Sequence, residues 1–200
     1  MHSLLNDSHL SKKDKSLLLV GLFAARREEQ PMLHFTEVAV KSGNTVNEIA
    51  ELISAAIISR GIPTWLSGIE SITKAIELTG KTESTLETQN IAAFSTQEDC
   101  ISYYQTEFEQ PPQWISYLVD YAPDTLLKYS NLRTTSLRDG VVSRYLKELL
   151  LYAINICDEY PKGIEIHETN AIQLGATEDV LQDVRTICIY AVGVQAVLKY

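Results

Sequence analysis

The sequence predicts an all-α fold, on three observations. Apolar residues recur at helical spacing over long stretches, helix start signals punctuate the chain, and no alternating run is bounded by hairpin turns. The 200 residues suffice for one sizeable core, or for two small domains sharing one. With 45% hydrophobic and 22% charged residues, and only 9 Gly and 6 Pro, the class is ordinary soluble globular.

Taken in order, the first signal is "SKKD" (11–14), which has capping-box spacing with Asp in place of Glu or Gln. It opens "KKDKSLLLVGLFAA" (12–25), whose basic start and apolar run resemble a signal peptide. A nearly identical pattern, "LKELLLYAINI" (146–156), recurs deep in the chain where no signal operates, so both read as structural helices. Neither reaches the ~20 apolar residues of a membrane span. "TVNE" (45–48) is a capping box opening a helix whose Val46, Ile49, Leu52, Ile53, Ala56 and Ile57 form one stripe. The polar stretch 79–90 reads as a linker. "TQED" (96–99) offers a further acidic helix start. The Tyr-rich segment "ISYYQTEFEQPPQWISYLVDYAPDTLLKYSNLRTTSL" reads as two or three helices, its aromatics serving a core or a subunit interface. "TEDV" (177–180) caps the last amphipathic helix, "VLQDVRTICIYAVGVQAVL", with Val180, Val184, Ile187, Cys188 and Ala191 on its stripe. Pro31, Pro63, Pro112, Pro123 and Pro161 fit near helix starts, where a missing N–H costs nothing.

The chain also reads as an internal repeat. Leu17-Leu18-Leu19 overlays Leu149-Leu150-Leu151, and His34 is expected to answer His167. One residue inserted after His34 then brings Gly43 onto Gly175 and Thr45 onto Thr177, and the copies run in step to Gly61 and Gly193. Gly43 and Gly175 suit the left-handed residue ending a helix, and Thr45 and Thr177 cap the next. Gly61 and Gly193 are expected to let another backbone approach closely. The expected division is a first copy over 1–80, a linker over 81–104, and a second copy with leading helices over 105–200. Such a unit cannot bury its apolar faces alone, so two copies or several chains must pack together.

Composition restricts function. A net charge of −9 and a pI near 4.9 disfavour nucleic acid and anionic membrane as partners. Cys100, Cys157 and Cys188 are an odd set without short spacing, neither a disulfide framework nor a zinc pattern, and suit a reducing cytoplasm. Four His with no close pair, and no HxxxH or CxxC, offer no metal site, and no cofactor is expected.

The block "KELLLYAINICDEYPKGIEIHETNAIQLGATEDVLQDVRTICIYAVGVQAVL" resembles the carboxymuconolactone decarboxylase and alkylhydroperoxidase D superfamily. The shared pattern is Lys-Glu-Leu opening a helix, His in the next, Gly-Ala-Thr, then an acidic long helix ending near a Gly. The first copy is similar to the decarboxylase side through "REEQPMLH", "SGNTVNEI" and "RGIP". Together the two stretches cover 11–78 and 105–200. The resemblance implies an all-helical fold assembling as homotrimers or hexamers. In the peroxidase branch it implies Cys-x-x-Cys-x-x-x-His chemistry with a Glu one helix earlier. Carried over by position, the His is His167 and the Glu is Glu148, while the two cysteine positions hold Tyr160 and Gly163. In the first copy they hold Arg27 and Gln30.

Both thiols of that scheme are absent, and a phenol does not form a disulfide. Cys157 stands three residues too early for the family spacing, and Cys188 lies on a later helix. What the pattern leaves is acid–base chemistry at His167 with Glu148. Counting along the two helices gives an axial offset of roughly 9 Å, so a bridging water is expected between them. The bland alternatives are a histidine packed between helices, and a Glu148 on an exposed face or paired with Arg144 at i−4.

In the first copy Lys15 falls where Glu148 does, so His34 lacks that relay. Arg27 would instead hold a substrate carboxylate while Glu29 and His34 handle protons. "ARREEQ" is equally the solvated end of an apolar helix. Tyr160 is either a substrate contact or a packing residue at the turn. The expected function is therefore carboxymuconolactone decarboxylase-like, cofactor-free proton transfer on a small carboxylated or lactone substrate. The alternatives are a non-catalytic oligomeric scaffold and a thiol hydroperoxidase reorganised around Cys157 or Cys188.

Overall fold

The structure, a computed structural model, describes residues 5–81, 93–108 and 111–193. Among these the chain is entirely helical outside turns and connections. The helices are Lys12–Arg26 (α1), Glu29–Lys41 (α2), Val46–Ala55 (α3), Ile57–Arg60 (α4), Ile62–Thr79 (α5), Gln97–Glu107 (α6), Gln113–Tyr121 (α7), Pro123–Leu137 (α8), Arg144–Cys157 (α9), Pro161–Gln173 (α10) and Glu178–Val192 (α11). No helix among the described residues is long and apolar enough to cross a membrane. The expected linker lies outside the described residues over 82–90, as does the end of the last amphipathic run beyond Gly193.

By compactness the chain forms two units. One unit joins Met1–Ser84 to Asp139–Tyr200, and the other is Thr85–Arg138. At the centre of the first unit are α1 and α9, each buried along nearly its whole length, from Lys15 to Ala25 and from Leu146 to Ile156. A helix apolar all round has to be covered on every side. Helix α2 packs on α1, α10 packs on α9, and α5, α3 and α11 complete the cover. The two central helices meet at Gly21, where a Cβ would come within 2.9 Å of Leu150 Cδ2.

Local chemistry starts and stops these helices as the sequence predicts. Ser11, Ser143, Thr45 and Thr177 each accept a hydrogen bond from the backbone N–H three residues on. Thr45 with Glu48 completes a capping box. After α1 and after α9 the chain turns through a non-glycine residue with positive φ, Arg27 at 60° and Glu159 at 54°. In both turns the following N–H returns to the last helical turn, Glu28 to Phe23 O and Tyr160 to Asn155 O, each at 3.0 Å.

Three expectations change. The run from Val46 does not make one long helix, because it breaks at Ala56 and again at Gly61. Gly61 (φ 70°) and Gly193 (φ 86°) are helix-ending residues, and neither brings a second backbone close among the described residues. The third change is the register of the two halves. Ser11 and Ser143, Arg27 and Glu159, Gly43 and Gly175, and Thr45 and Thr177 all keep one constant separation, so no residue is inserted. At that separation His167 answers Phe35 rather than His34, Glu148 answers Ser16, and Lys147 answers Lys15.

Those two lysines are buried, 4% and 1% exposed, and each reaches into the other half. Lys15 Nζ on α1 lies 3.5 Å from Asp183 on α11. Lys147 Nζ on α9 donates to Glu51 Oε1 on α3 at 2.6 Å. The second unit has a core of Cys100, Tyr104, Ile115 and Leu126 with Trp114 and Phe94 against it. Thr96 and Asp99 form a capping box at its first helix.

Candidate active site

The pairing of α9 with α10 builds the site. Helix α9 ends at Cys157 and α10 begins at Pro161, so the chain reverses within three residues and sets the helices side by side. On α9, Glu148 is completely buried. A carboxylate taken out of water must find donors, and two come from α10. His167 Nδ1 lies 2.7 Å from Glu148 Oε2, and Asn170 Nδ2 donates to the same oxygen at 3.2 Å. On its own helix Arg144 stands one turn back, with Nε 3.7 Å from Glu148 Oε1.

The expected bridging water is thus replaced by a direct bond. Measured from the actual helix ends, the offset between Glu148 and His167 is about three residues, or ~4.5 Å, which the two side chains span. The expected exposed face for Glu148 is likewise overturned, although Arg144 is its neighbour as anticipated. An ionised Glu148 can only accept, and in that state Nδ1 is the donor of the pair and Nε2 is the ring nitrogen turned away from it. The His167 side chain keeps 11% exposure against none for Glu148, so the ring is the member of the pair that reaches outward.

Arg27, Glu29 and His34 form no such group. All three are exposed, and no contact among the described residues joins them. Arg27 is the C-cap of α1 and Glu29 sits in the first turn of α2. His34, five residues on, points about 140° away around the helix, with its ring edge-on to Phe35 at 5.0 Å. In the register of the fold the counterpart of His167 is Phe35, stacked on Phe23 at 5.7 Å in the core. An apolar ring and a serine stand where the second half has its His and Glu.

No family model matches the chain, and no curated protein matches it. A solved structure does, that of a candidate gamma-carboxymuconolactone decarboxylase subunit from Burkholderia xenovorans LB400. It superposes with a TM-score of 0.65 at 21% identity, over 96% of this chain and 78% of that one. The chain has the carboxymuconolactone decarboxylase fold.

Within the carboxymuconolactone decarboxylase fold the two positions of the absent thiols are informative. Tyr160 is the N-cap of α10 and 53% exposed. Gly163 is buried, and a Cβ there would come within 2.1 Å of Asn155 Oδ1 and 2.7 Å of Tyr160 Cδ1. Asn155 is itself held by Leu151 O at 2.7 Å, so the space a second thiol would need is already filled. Asn170 and Asn155 were not singled out from the sequence, yet their spacing carries the signal. Asn170 is three residues after His167 and Asn155 seven after Glu148, so each shares a helical face with its partner.

Proposed function

We propose that this chain is a cofactor-free proton-transfer enzyme of the carboxymuconolactone decarboxylase kind, acting on a small carboxylated or lactone substrate. The observation that carries the reading is the buried 2.7 Å bond between His167 and Glu148. Glu148 orients the imidazole and stabilises its charged form, while Asn170 holds the carboxylate in place. His167 Nε2 then gives or takes the substrate proton. In a decarboxylation the bond to the carboxylate breaks, carbon dioxide leaves, and the electron pair on carbon is protonated by the imidazolium. Tyr160, at the mouth of the same helix, is the proposed substrate contact. Arg27, Glu29 and His34 take a place in the reading only as a peripheral, solvent-facing set.

We further propose a first copy of one helical unit over 1–80, a linker over 81–104 and a second copy with leading helices over 105–200, self-association as a trimer or hexamer, and a cytoplasmic location. The neighbour's description as a subunit is in line with self-association. The 8% residual exposure of His167 supports a second reading, a scaffold in which the histidine only ties α10 to α9.

The test is decarboxylation of gamma-carboxymuconolactone and related lactone acids, followed by carbon dioxide release. His167→Gln is expected to lower kcat by about 10²–10⁴, and Glu148→Gln by a smaller part of that, both with the wild-type far-UV spectrum. Turnover untouched by His167→Gln, or no turnover with any lactone acid while both variants change stability alone, would establish the scaffold instead.

A further inference from the structure

Arg144 has no part in the proton transfer proposed above, yet it stands in the same group of side chains. It opens α9, where its N–H donates to Asp139 Oδ1 at 2.7 Å and Ser143 before it caps the helix. One turn later comes Glu148, with Oε1 3.7 Å from Arg144 Nε. That separation makes an ion pair but is too long for a hydrogen bond. Oε2 of the same carboxylate meets both α10 partners, His167 and Asn170. One carboxylate thus stands between a guanidinium and an imidazole, which lie within about 9 Å of each other.

Exposure separates the members of this group. The Arg144 side chain keeps 27% and that of His167 11%, against none for Glu148. Asn170 is buried. The group therefore shows solvent a cation and a ring, with its anion behind them. A carboxylated molecule that reaches His167 approaches that buried anion, and a cation on the outer side has to offset the repulsion. A guanidinium presents five donors in a planar fork that matches a carboxylate bidentately, and it stays charged at any working pH. Arg27, the residue the sequence offers for this duty, is exposed on α1, and no contact among the described residues joins it to His167 or Glu148.

We propose that Arg144 is the carboxylate-binding residue of this site, holding an acid group of the substrate while His167 faces the reacting carbon. The inference rests on the proton-transfer reading above and adds what selects the substrate. An ion pair stabilises a carboxylate in the ground state, and a departing carboxylate loses that pair on the way to carbon dioxide. Holding the departing group would therefore slow the reaction, so the carboxylate on Arg144 is one that the product keeps. A neutral ester offers the guanidinium no charge to pair with and binds more weakly.

The experiment titrates the full chain calorimetrically with paraconate, a saturated lactone acid, and with its methyl ester. The acid is expected to bind about 10–100-fold more tightly than the ester. Arg144→Met should remove that preference by bringing the acid down to the affinity of the ester. Arg144→Lys should restore only part of it, because an ammonium lacks the fork. A merely structural role for Arg144 would weaken both ligands alike. In turnover of gamma-carboxymuconolactone, Arg144→Met is expected to raise KM by a similar factor with a smaller change in kcat, the reverse of His167→Gln. Where a variant fails to fold, wild-type chain carrying isotope-labelled arginine decides: the Arg144 Nε–H resonance moves with the acid and not with the ester. Equal or no binding of acid and ester by the wild type, or an acid preference that survives Arg144→Met, would overturn the proposal. Acid binding that follows Arg144, without turnover of any lactone acid, would remove the proton-transfer reading and leave the carboxylate-binding residue standing.

Discussion

At the scale of single residues, the site rests on side chains whose meaning depends on a neighbour across a helix boundary. Gly163 shows this most sharply. Replacing a helical Gly by Ala normally gains about 1 kcal/mol, but here the added methyl meets Asn155 Oδ1 at 2.1 Å. Overpacking of this kind costs about 1–3 kcal/mol, so the clash outweighs the gain. Gly163→Ala is therefore expected to lower stability by about 1 kcal/mol in urea unfolding. The double variant Gly163→Ala with Asn155→Ala should recover that clash, and simple additivity of the two would contradict the packing described.

At the scale of elements, caps were legible because they depend on residues adjacent in sequence. Ser11, Thr45, Thr96 and Thr177 behave as written. The break of the Val46 helix at Ala56 was not legible, because an uninterrupted apolar stripe continues through it. The second unit supplies a test of its core element. Tyr104 on α6 is completely buried. Burial raises its hydroxyl to about 12 from 10.0, against the lowering effects of the Ser130 hydrogen bond and Arg133. A folded value above the unfolded one means that this stability is fully present below pH 10. It is lost as pH rises toward 12, because the unfolded chain releases the proton first. The loss is expected to approach about 2 kcal/mol. Trp114, edge-on to Tyr104 at 5.5 Å, reports it by fluorescence in a Trp65→Phe background. Tyr104→Phe should flatten the profile between pH 9 and 12, and an unchanged profile would assign the effect elsewhere.

At the scale of the large unit, two buried lysines tie the halves of the chain together. Lys15 on α1 reaches Asp183 on α11, and Lys147 on α9 reaches Glu51 on α3, which also accepts from Val141 N–H at 2.9 Å. Burial raises the Asp183 carboxyl, but the Ser8 hydroxyl, the Leu10 N–H and the Lys15 ammonium together hold it below its ordinary range. Removing one member of a buried pair strands the other and costs about 3–5 kcal/mol. Lys147→Met is expected to destabilise by about that amount in denaturant unfolding, with Lys147→Met/Glu51→Leu recovering much of it. A loss below about 1 kcal/mol for the single variant would place these pairs among the dispensable ones.

By itself the sequence determined the all-helical class and most helix starts, which follow from spacing and from each residue's own chemistry. The Lys-Glu-Leu helix and His167 were singled out through the resemblance alone. Tertiary structure decided the rest. It brought Glu148 out of reach of water and onto His167, set Phe35 where His34 was expected, and scattered Arg27, Glu29 and His34. The physical reason is that partnership across helices depends on where each helix ends and which face it buries. An axial offset of about three residues rather than six moves an expected water bridge into direct contact, and one residue of register exchanges an imidazole for a phenyl ring.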